Sequence, residues 1–346
     1  MLLKSIFAFA FLTLSFNSFA EEIHDEHNEA HNEGAFEIGG QIKVRGDFVK
    51  EQNLGDFSFA PRERDEQLLS RTRLNFSLAP LENLKGFIQG QYYIRENNHD
   101  YSKANLYQAY ADFSNEKFIP LELRVGRQEF CYGSSFFLGA NDFYEGLVWD
   151  GVKLKLEPRD NLWLDLIGAR YVQLNKNTSD DEPAIYGVYS GYQLAKDADI
   201  ELYLFYHKGG FKFFHTDLAD SQRWFSLGAR FSGKIKERFD FELEPLYQFG
   251  TIDNLNRGER DTIAAYGGHI EAGHTFAPES CGRLFAAAGY GSGDNNTSDK
   301  RFREFHGNIY NDTYIVGDTS IIPDLSGITV GSSRNLLSEV LLSPLP

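Results

Sequence analysis

Apolar and polar residues alternate in runs of about ten residues along most of this chain. In the run 121–126, two leucines and a valine alternate with a glutamate, an arginine and a glycine, and the run 151–156 repeats the pattern with lysines on its polar side. Because successive side chains of a β-strand point to opposite faces, each run predicts a strand with one apolar and one polar face. The apolar face of such a strand meets either a protein core or lipid.

Thirteen runs of this kind follow one another, separated by turn residues. They lie at residues 36–48, 71–78, 88–95, 107–113, 121–126, 151–156, 162–171, 184–194, 199–207, 222–231, 239–249, 261–276 and 282–290. Many short strands of alternating hydrophobicity with turns between them are the signature of an outer-membrane barrel. We therefore predict an all-β fold, an antiparallel transmembrane β-barrel of the bacterial outer-membrane type with 13–14 strands.

The lengths of the links between the runs favour the membrane over a soluble fold. Long links at 50–67, 132–147, 173–183 and 208–221 alternate with short links such as 80–84, 158–161 and 195–198. Outer-membrane barrels have short periplasmic turns and longer extracellular loops in this order. A secreted adhesin or another soluble β-protein is the alternative, and it would stay monodisperse in buffer without detergent.

The first 34 residues divide into two segments. Residues 1–20 predict a signal peptide, with Lys4 as the positive n-region, an apolar stretch at 6–14 and a small-x-small cleavage site at 18–20. Residues 21–34 are polar and acidic and predict a flexible tail in the periplasm. The tail contains His24, His27 and His31 at helix-like spacing among carboxylates, so these are candidate metal ligands; a solvated tail is the simpler interpretation.

No linker or shift in composition divides the rest of the chain, so we predict one β-barrel domain at residues 35–325. Residues 326–346 lack a strand-like aromatic end, and we interpret them as an atypical, truncated or frameshifted C-terminus. An odd number of predicted strands agrees with this interpretation, because bacterial single-chain barrels close with an even number.

Aromatic residues are abundant, with 30 Phe and 18 Tyr. Outer-membrane barrels place aromatic residues in girdles at both membrane interfaces. We predict this role for tyrosines near strand ends, among them Tyr92, Tyr93, Tyr107, Tyr110, Tyr189, Tyr192, Tyr206, Tyr247 and Tyr290. The net charge of −16 argues against a nucleic-acid partner, because phosphate binding needs a basic surface.

The two cysteines are predicted to be unpaired thiols, although the chain is exported to an oxidising compartment. The order of the predicted strands puts Cys131 at the extracellular end and Cys281 in a periplasmic turn. An apolar band about 25 Å tall separates these ends. A disulfide needs Cα atoms within about 7 Å.

Several short motifs resemble the alginate export porin family, and the similarity extends from about Gln41 to Asp318. The most specific is Gly126-Arg127-Gln128. The others are Leu106–Asp112, Tyr132-Gly133, the loop 142–146 and Trp149-Asp150-Gly151. The resemblance implies a barrel of roughly 18 strands with a constriction rich in arginine and lysine that passes an anionic polysaccharide outward.

The resemblance implies that bases on the inward face form this constriction. The candidates are Lys43, Arg45, Arg71, Arg73, Arg95, Arg124, Arg127, Lys153 and Lys155. A ring of fixed positive charge attracts a polyanion and repels cations. Alternatively, many of these bases pair with lumenal carboxylates such as Glu37, Asp47, Asp112, Glu122 and Asp165.

Carboxylates dominate the polar face of the later strands, where Glu201, Asp240, Glu242, Glu244 and Glu271 accompany only two arginines, Arg230 and Arg283. A pore whose first strands carry bases and whose later strands carry carboxylates also fits a general or differently selective diffusion porin.

An outer-membrane enzyme is the main rival class, and the chain does contain histidines, His207, His215, His269 and His274. Gly-x-Ser-x-Gly is absent, however, so we predict a protein that is not an enzyme and needs no cofactor. The expected partners are outer-membrane lipid, an anionic polysaccharide or small anionic solute, and periplasmic export components. We expect a monomer located in the cell outer membrane.

Overall fold

The computed structural model describes residues 8–19, 35–49, 65–96, 101–115, 120–133, 135–140, 145–172, 183–209, 223–236, 238–254, 258–277, 282–293, 299–303 and 305. The chain divides into two compact units. Unit 1 comprises Met1–Glu129 and Val148–Leu154, and unit 2 comprises Phe130–Leu147 and Lys155–Pro346.

The described residues form fourteen strands of eight or more residues, one strand of two residues and no helix. The strands are β1 (Ala8–Phe19), β2 (Ala35–Val49), β3 (Asp65–Leu81), β4 (Leu84–Glu96), β5 (Tyr101–Asn115), β6 (Leu121–Gln128), β7 (Val148–Arg159), β8 (Leu162–Val172), β9 (Ala184–Ala195), β10 (Ala198–Lys208), β11 (Arg223–Ile235), β12 (Phe239–Asn254), β13 (Glu259–Ala277), β14 (Gly282–Gly291) and β15 (Arg301–Phe302).

Within each unit, consecutive strands pair antiparallel with the next strand along the chain. In unit 1 this holds from β1 to β6, and in unit 2 from β8 to β14. Only β15 departs from the order, because it pairs parallel with β13. Two-residue turns at 82–83, 160–161 and 196–197 stand where short links are predicted. All thirteen predicted runs are strands, β2 to β14, so the predicted all-β antiparallel fold is confirmed.

The two faces of the strands differ in chemistry as the alternation predicts. Large apolar side chains are exposed on one face, for example Leu74 and Ile88 in unit 1 and Leu202 and Ile270 in unit 2. The opposite face, which we call the inner face, carries buried polar side chains. These include Arg71, Arg73, Gln91, Asp165, His207, Glu244 and Gln248. Exposed apolar and buried charged residues reverse the arrangement of a soluble protein, as in a barrel that faces lipid.

Strand β1 overlaps the segment predicted to be a signal peptide. It pairs with β2 over twelve residues, from Ala8 opposite Phe48 to Phe19 opposite Glu37. Cleavage after Ala20 would remove β1. The backbone N–H and C=O groups of β2 that face β1 would then lose this partner. Cleavage of residues 1–20 stays a prediction.

Strand β5 corrects one prediction of side-chain direction. The alternation puts Tyr107 on the apolar face with Phe113, but Tyr107 is fully buried beneath Arg73 on the inner face. The reason is a register shift opposite Gln89 and Gly90, which inserts one extra residue into β5. Since a bulge reverses the side-chain alternation, Tyr107 and Phe113 point to opposite faces.

The predicted tyrosine girdle requires side chains on the apolar face, and only some of the named tyrosines lie there. Tyr92, Tyr192 and Tyr247 are exposed on the apolar face, whereas Tyr93, Tyr107 and Tyr189 are buried on the inner face. Within the described residues there is no helix with the length and apolarity that crossing a membrane requires.

Candidate functional site: the inner faces of the two units

The inner face of β2, β3 and β4 carries five of the predicted bases, and we call this surface the basic wall. Its members are Lys43, Arg45, Arg71, Arg73 and Arg95. Arg45, Arg71 and Arg73 are buried. Lys43 lies directly opposite Arg71 across the β2–β3 ladder. The register therefore brings together bases that are about thirty residues apart in the chain.

Arg73 is held at the centre of a polar network. Its Nε donates to Gln91 Oε1 at 2.7 Å, and its Nη1 lies 3.4 Å from Glu129 Oε1. The guanidinium carbon lies 3.7 Å from the centroid of the Tyr107 ring, a cation–π contact. The Tyr107 hydroxyl in turn donates to Glu129. Arg71 donates to Gln41 Oε1 at 2.8 Å, so amide side chains orient both arginines.

Arg124 on β6 is paired with a carboxylate. It makes a bidentate contact with Asp112, at 2.6 Å from Nε and 2.9 Å from Nη2, and its Nη2 lies 3.6 Å from Glu122. Its guanidinium also covers the Tyr110 ring at 4.0 Å. The predicted pairing of lumenal bases with Asp112 and Glu122 is therefore correct for Arg124.

The Gly-Arg-Gln motif of β6 forms hydrogen bonds with β7 within unit 1. Arg127 makes a bidentate contact with Asp150, at 2.8 and 2.9 Å, and donates to the Leu106 carbonyl at 3.1 Å. Gln128 is fully buried, and its Nε2 donates to the carbonyl of Gly151 at 3.3 Å. The most specific motif of the sequence therefore bonds to the Trp149-Asp150-Gly151 motif, and the charge of Arg127 is balanced by Asp150.

Gly126 is the position of this motif where only glycine fits. Its φ is +131°, and a Cβ would lie 2.3 Å from the Ala109 carbonyl oxygen and 2.8 Å from the Tyr110 Cα. Both neighbours are backbone atoms and cannot rotate away.

Substitution Gly126→Ala should therefore lower the free energy of unfolding by about 1–3 kcal/mol from backbone strain, with the clash in addition. Denaturant titration in detergent micelles, followed by tryptophan fluorescence, measures the change. Gly90→Ala is the matched control, because a Cβ at Gly90 meets no atom within 4 Å. Equal stability of the two variants would contradict the steric role of Gly126.

The other predicted bases have different surroundings. Arg95 is exposed, with its guanidinium 5.9 Å from the Tyr101 ring. Lys153 is half-buried on β7. Lys155 belongs to unit 2 and pairs with Glu157 at 2.5 Å. Within unit 1, the structure thus brings together Lys43, Arg45, Arg71 and Arg73 on β2 and β3, with Arg95 as the exposed member of the basic wall on β4.

In unit 2, the segment after β6 folds against the inner face, which the sequence did not predict. We call residues 130–133 and 135–140 the docked loop; Phe136, Phe137 and Leu138 in it are buried. The Tyr132 hydroxyl donates to Asp165 on β8. Phe137 stacks on Tyr203 with ring centroids 4.7 Å apart. The inner face of unit 2 is therefore partly filled by the chain itself.

The docked loop rests on an ion cluster. Arg230 donates to Glu201 at 2.8 Å and to Glu242 at 2.6 Å. Gly133 lies against the Arg230 side chain, so that a Cβ at Gly133 would be 2.6 Å from its Cδ. The Tyr189 hydroxyl donates to Glu201 at 2.5 Å. One arginine therefore holds two carboxylates and supports the loop above them.

A second short segment contacts the docked loop. Phe305 stacks on Phe136 with centroids 6.3 Å apart, and its amide donates to the Ser292 carbonyl at 2.8 Å. Asp299 accepts a hydrogen bond from Arg303 at 2.6 Å. That hydrogen bond is the main reason that the pKa of Asp299 is lowered.

The histidines and cysteines form no metal-ligating cluster in the described part of the chain. His207 stacks on Trp224, His269 on Phe136 and His274 on Phe239. No group of three or more metal-ligating side chains occurs among the described residues. His24, His27, His31, His215 and Cys281 lie outside those residues. Cys131 is a free, exposed thiol, as predicted.

An antiparallel all-β fold with an exposed apolar face and charged inner faces is typical of outer-membrane β-barrel proteins. The family model for alginate export matches residues 35–318. The chain therefore belongs to the alginate export family, in agreement with the resemblance seen in the sequence.

The solved structures that are similar to this chain include the following three. FpvAI in its complex with pyocin S2 matches at 11% identity and a TM-score of 0.40, over 82% of this chain and 43% of that chain. Pseudomonas aeruginosa OccK7 matches at 11% identity and a TM-score of 0.36, over 84% and 83%. Acinetobacter baumannii OccAB4 matches at 9% identity and a TM-score of 0.31, over 88% and 89%. The chain thus spans less than half the length of FpvAI. No curated protein matches it.

Proposed function

We propose that this protein is an anion-selective channel of the outer membrane, not an enzyme, and that it passes an anionic polysaccharide or a related anionic solute. The basic wall is the observation that carries the proposal. Membership of the alginate export family supports the same direction of selectivity.

The basic wall concentrates like charge on neighbouring strands. Along the inner-face positions of 41–45, 69–77 and 87–95, the residues are basic, amide, aromatic, apolar or small, and none is acidic. Lys43 and Arg71 face each other across the ladder, an arrangement that is unfavourable for two cations by themselves. Because bases outnumber acids at these positions, we infer that the wall attracts anions and repels cations.

A general or differently selective diffusion porin is the second candidate. The inner face of unit 2 favours it, because Asp165, Glu201, Glu242 and Glu244 there accompany the single arginine of the ion cluster, Arg230. A surface with excess carboxylate does not select anions.

The double variant Arg71→Gln/Arg73→Gln separates these candidates. A unit charge at roughly 10 Å contributes about 0.4 kcal/mol in water, favourable for an anion and unfavourable for a cation. Losing two charges should therefore lower the chloride permeability about fourfold and raise the potassium permeability about fourfold, so the chloride-to-potassium permeability ratio should fall roughly 16-fold at low salt. The reversal potential of the protein in a planar bilayer with a KCl gradient measures this ratio. The effect should fade near 1 M salt, where the Debye length is about 3 Å.

The matched control is Arg71→Lys/Arg73→Lys, which keeps both charges and changes only the hydrogen-bond geometry. An unchanged permeability ratio in the glutamine variant would contradict the anion-channel proposal.

The identity of the transported solute is tested by block of the ionic current. Polyuronate should block the wild-type pore, and a neutral glycan of equal length should block it less. Conductance indifferent to polyuronate would favour the general porin.

We also propose the location, partners and oligomeric state that the sequence predicts. The N-terminal tail 21–34 would lie in the periplasm, where export components could contact it, and the protein would act as a monomer surrounded by lipid. A protease added to sealed outer-membrane vesicles reports the side on which the tail lies.

A further inference from the structure

Several aromatic rings on the inner face of unit 2 lie flat against the sheet, because each stands opposite a glycine. The indole of Trp163 covers Gly191, the ring of Tyr203 covers Gly228 and the ring of Phe205 approaches Gly187. A Cβ at these glycines would lie 2.3, 2.1 and 2.5 Å from the nearest atom of the ring or its adjacent backbone. A ring that lies flat on the strands presents its other face to the interior.

Trp163 and Tyr203 form a row with a third ring, Tyr189, on the strand between them. We call this row the aromatic wall: Trp163 on β8, Tyr189 on β9 and Tyr203 on β10. The rings of Trp163 and Tyr189 are 3° from parallel with centroids 5.7 Å apart. The rings of Tyr189 and Tyr203 are 11° from parallel at 5.0 Å. Near-parallel rings at regular spacing make a surface that matches flat, ring-shaped partners.

The docked loop supplies two such partners. Tyr132 stacks on Tyr189 at 4.3 Å and 18°, and Phe137 stacks on Tyr203 at 4.7 Å and 14°. Tyr132 also donates its hydroxyl to Asp165. The aromatic wall therefore already stacks against a flat ring, that of Tyr132. The neighbouring carboxylate of Asp165 accepts a hydrogen bond from the hydroxyl of the same ring.

We propose that the Trp163 end of the aromatic wall binds a pyranose ring of an uncharged oligosaccharide. The axial C–H face of a pyranose is apolar and stacks on an aromatic ring, while its equatorial hydroxyls donate to carboxylates. The Tyr132 ring of the docked loop also stacks on Trp163, with centroids 6.2 Å apart, but it lies closer to Tyr189, at 4.3 Å. Trp163 is half-buried, whereas Tyr189 and Tyr203 are buried, so the part of the indole that Tyr132 leaves uncovered is where the sugar ring would stack.

The charges beside the aromatic wall select an uncharged sugar. Asp165 and Glu201 lie on the same inner face, and Arg230 is already engaged by Glu201 and Glu242. A uronate would bring another carboxylate to these acids, whereas sugar hydroxyls offer donors to them. This site does not depend on the anion selectivity proposed for the basic wall.

Maltohexaose, a neutral oligosaccharide, tests the site by calorimetric titration of the full-length protein in detergent micelles. Wild type should bind it saturably, and Trp163→Ala should bind it about tenfold more weakly through loss of the stacked ring. Tyr186→Ala is the matched control, since Tyr186 is an exposed aromatic on the opposite face of β9; its affinity should equal that of wild type.

Gly191→Val keeps the indole but pushes it off the strand, because the Trp163 Nε1 lies 2.3 Å from a Cβ at Gly191. It should weaken maltohexaose binding as Trp163→Ala does, and circular dichroism verifies that both variants fold. Absence of saturable binding in wild type, equal binding by Trp163→Ala, or tighter binding of an oligouronate at Trp163 would each overturn the proposal. The permeability ratio tests the anion channel separately, so either proposal can fail alone.

Discussion

Replacing Arg230 with methionine should lower the free energy of unfolding by about 3–5 kcal/mol, the largest loss that we expect from a single polar residue of unit 2. Arg230 bridges Glu201 and Glu242 at 2.8 and 2.6 Å, and all three side chains are at most 15% exposed. Methionine fills a similar space without charge. Two mostly buried carboxylates would then repel each other with no cation between them.

Denaturant titration in detergent micelles measures this loss. The triple variant Arg230→Met/Glu201→Gln/Glu242→Gln should recover most of the stability, because it removes the repelling charges together with the arginine. Lys234→Met, an exposed position of the same strand, is the control for a change of charge alone and should stay within about 0.5 kcal/mol of wild type. If Arg230→Met and Lys234→Met were equally stable, the ion cluster would have no structural role.

Phe137→Ala should release the docked loop. Phe137 is 4% exposed and contacts Tyr203, Phe205 and His207 with ring centroids 4.7, 5.3 and 5.9 Å away. Truncation of a buried phenylalanine typically costs about 3–5 kcal/mol. Since these contacts attach the loop to the strands, much of that loss should appear as local detachment of the loop.

Limited proteolysis of the folded protein reports this detachment. Cleavage within residues 130–147 should be faster in Phe137→Ala than in wild type, while the strands stay protected. Phe137→Leu retains most of the apolar volume and should be cleaved at nearly the wild-type rate. The same cleavage rate in Phe137→Ala and wild type would mean that the Phe137 contacts do not hold the loop.

The strands and their faces follow from local pattern, and this part of the fold could be predicted. The alternation of leucine and arginine in 121–126 or of leucine and phenylalanine with polar residues in 71–78 places every second side chain on the same face. No tertiary information enters that argument. The bases of β2 and β3 could be assigned to the inner face for the same reason.

Contacts that depend on register could not be predicted in this way. The pairing of Lys43 with Arg71 requires the β2–β3 register, and the inward turn of Tyr107 requires the bulge opposite Gln89. The stacking of Trp163 over Gly191 likewise joins residues 28 positions apart. Alternation predicts the face of a residue but says nothing about its cross-strand neighbour.

The amino-acid sequence alone determined the class of fold, the positions of thirteen strands and the family, because all three rest on local periodicity and short motifs. The tertiary structure decided which charges meet, that Arg127 is balanced by Asp150, and that Tyr132 and Phe137 fold back onto an aromatic wall. Those contacts join residues distant in the chain, and only strand register and packing bring such residues together.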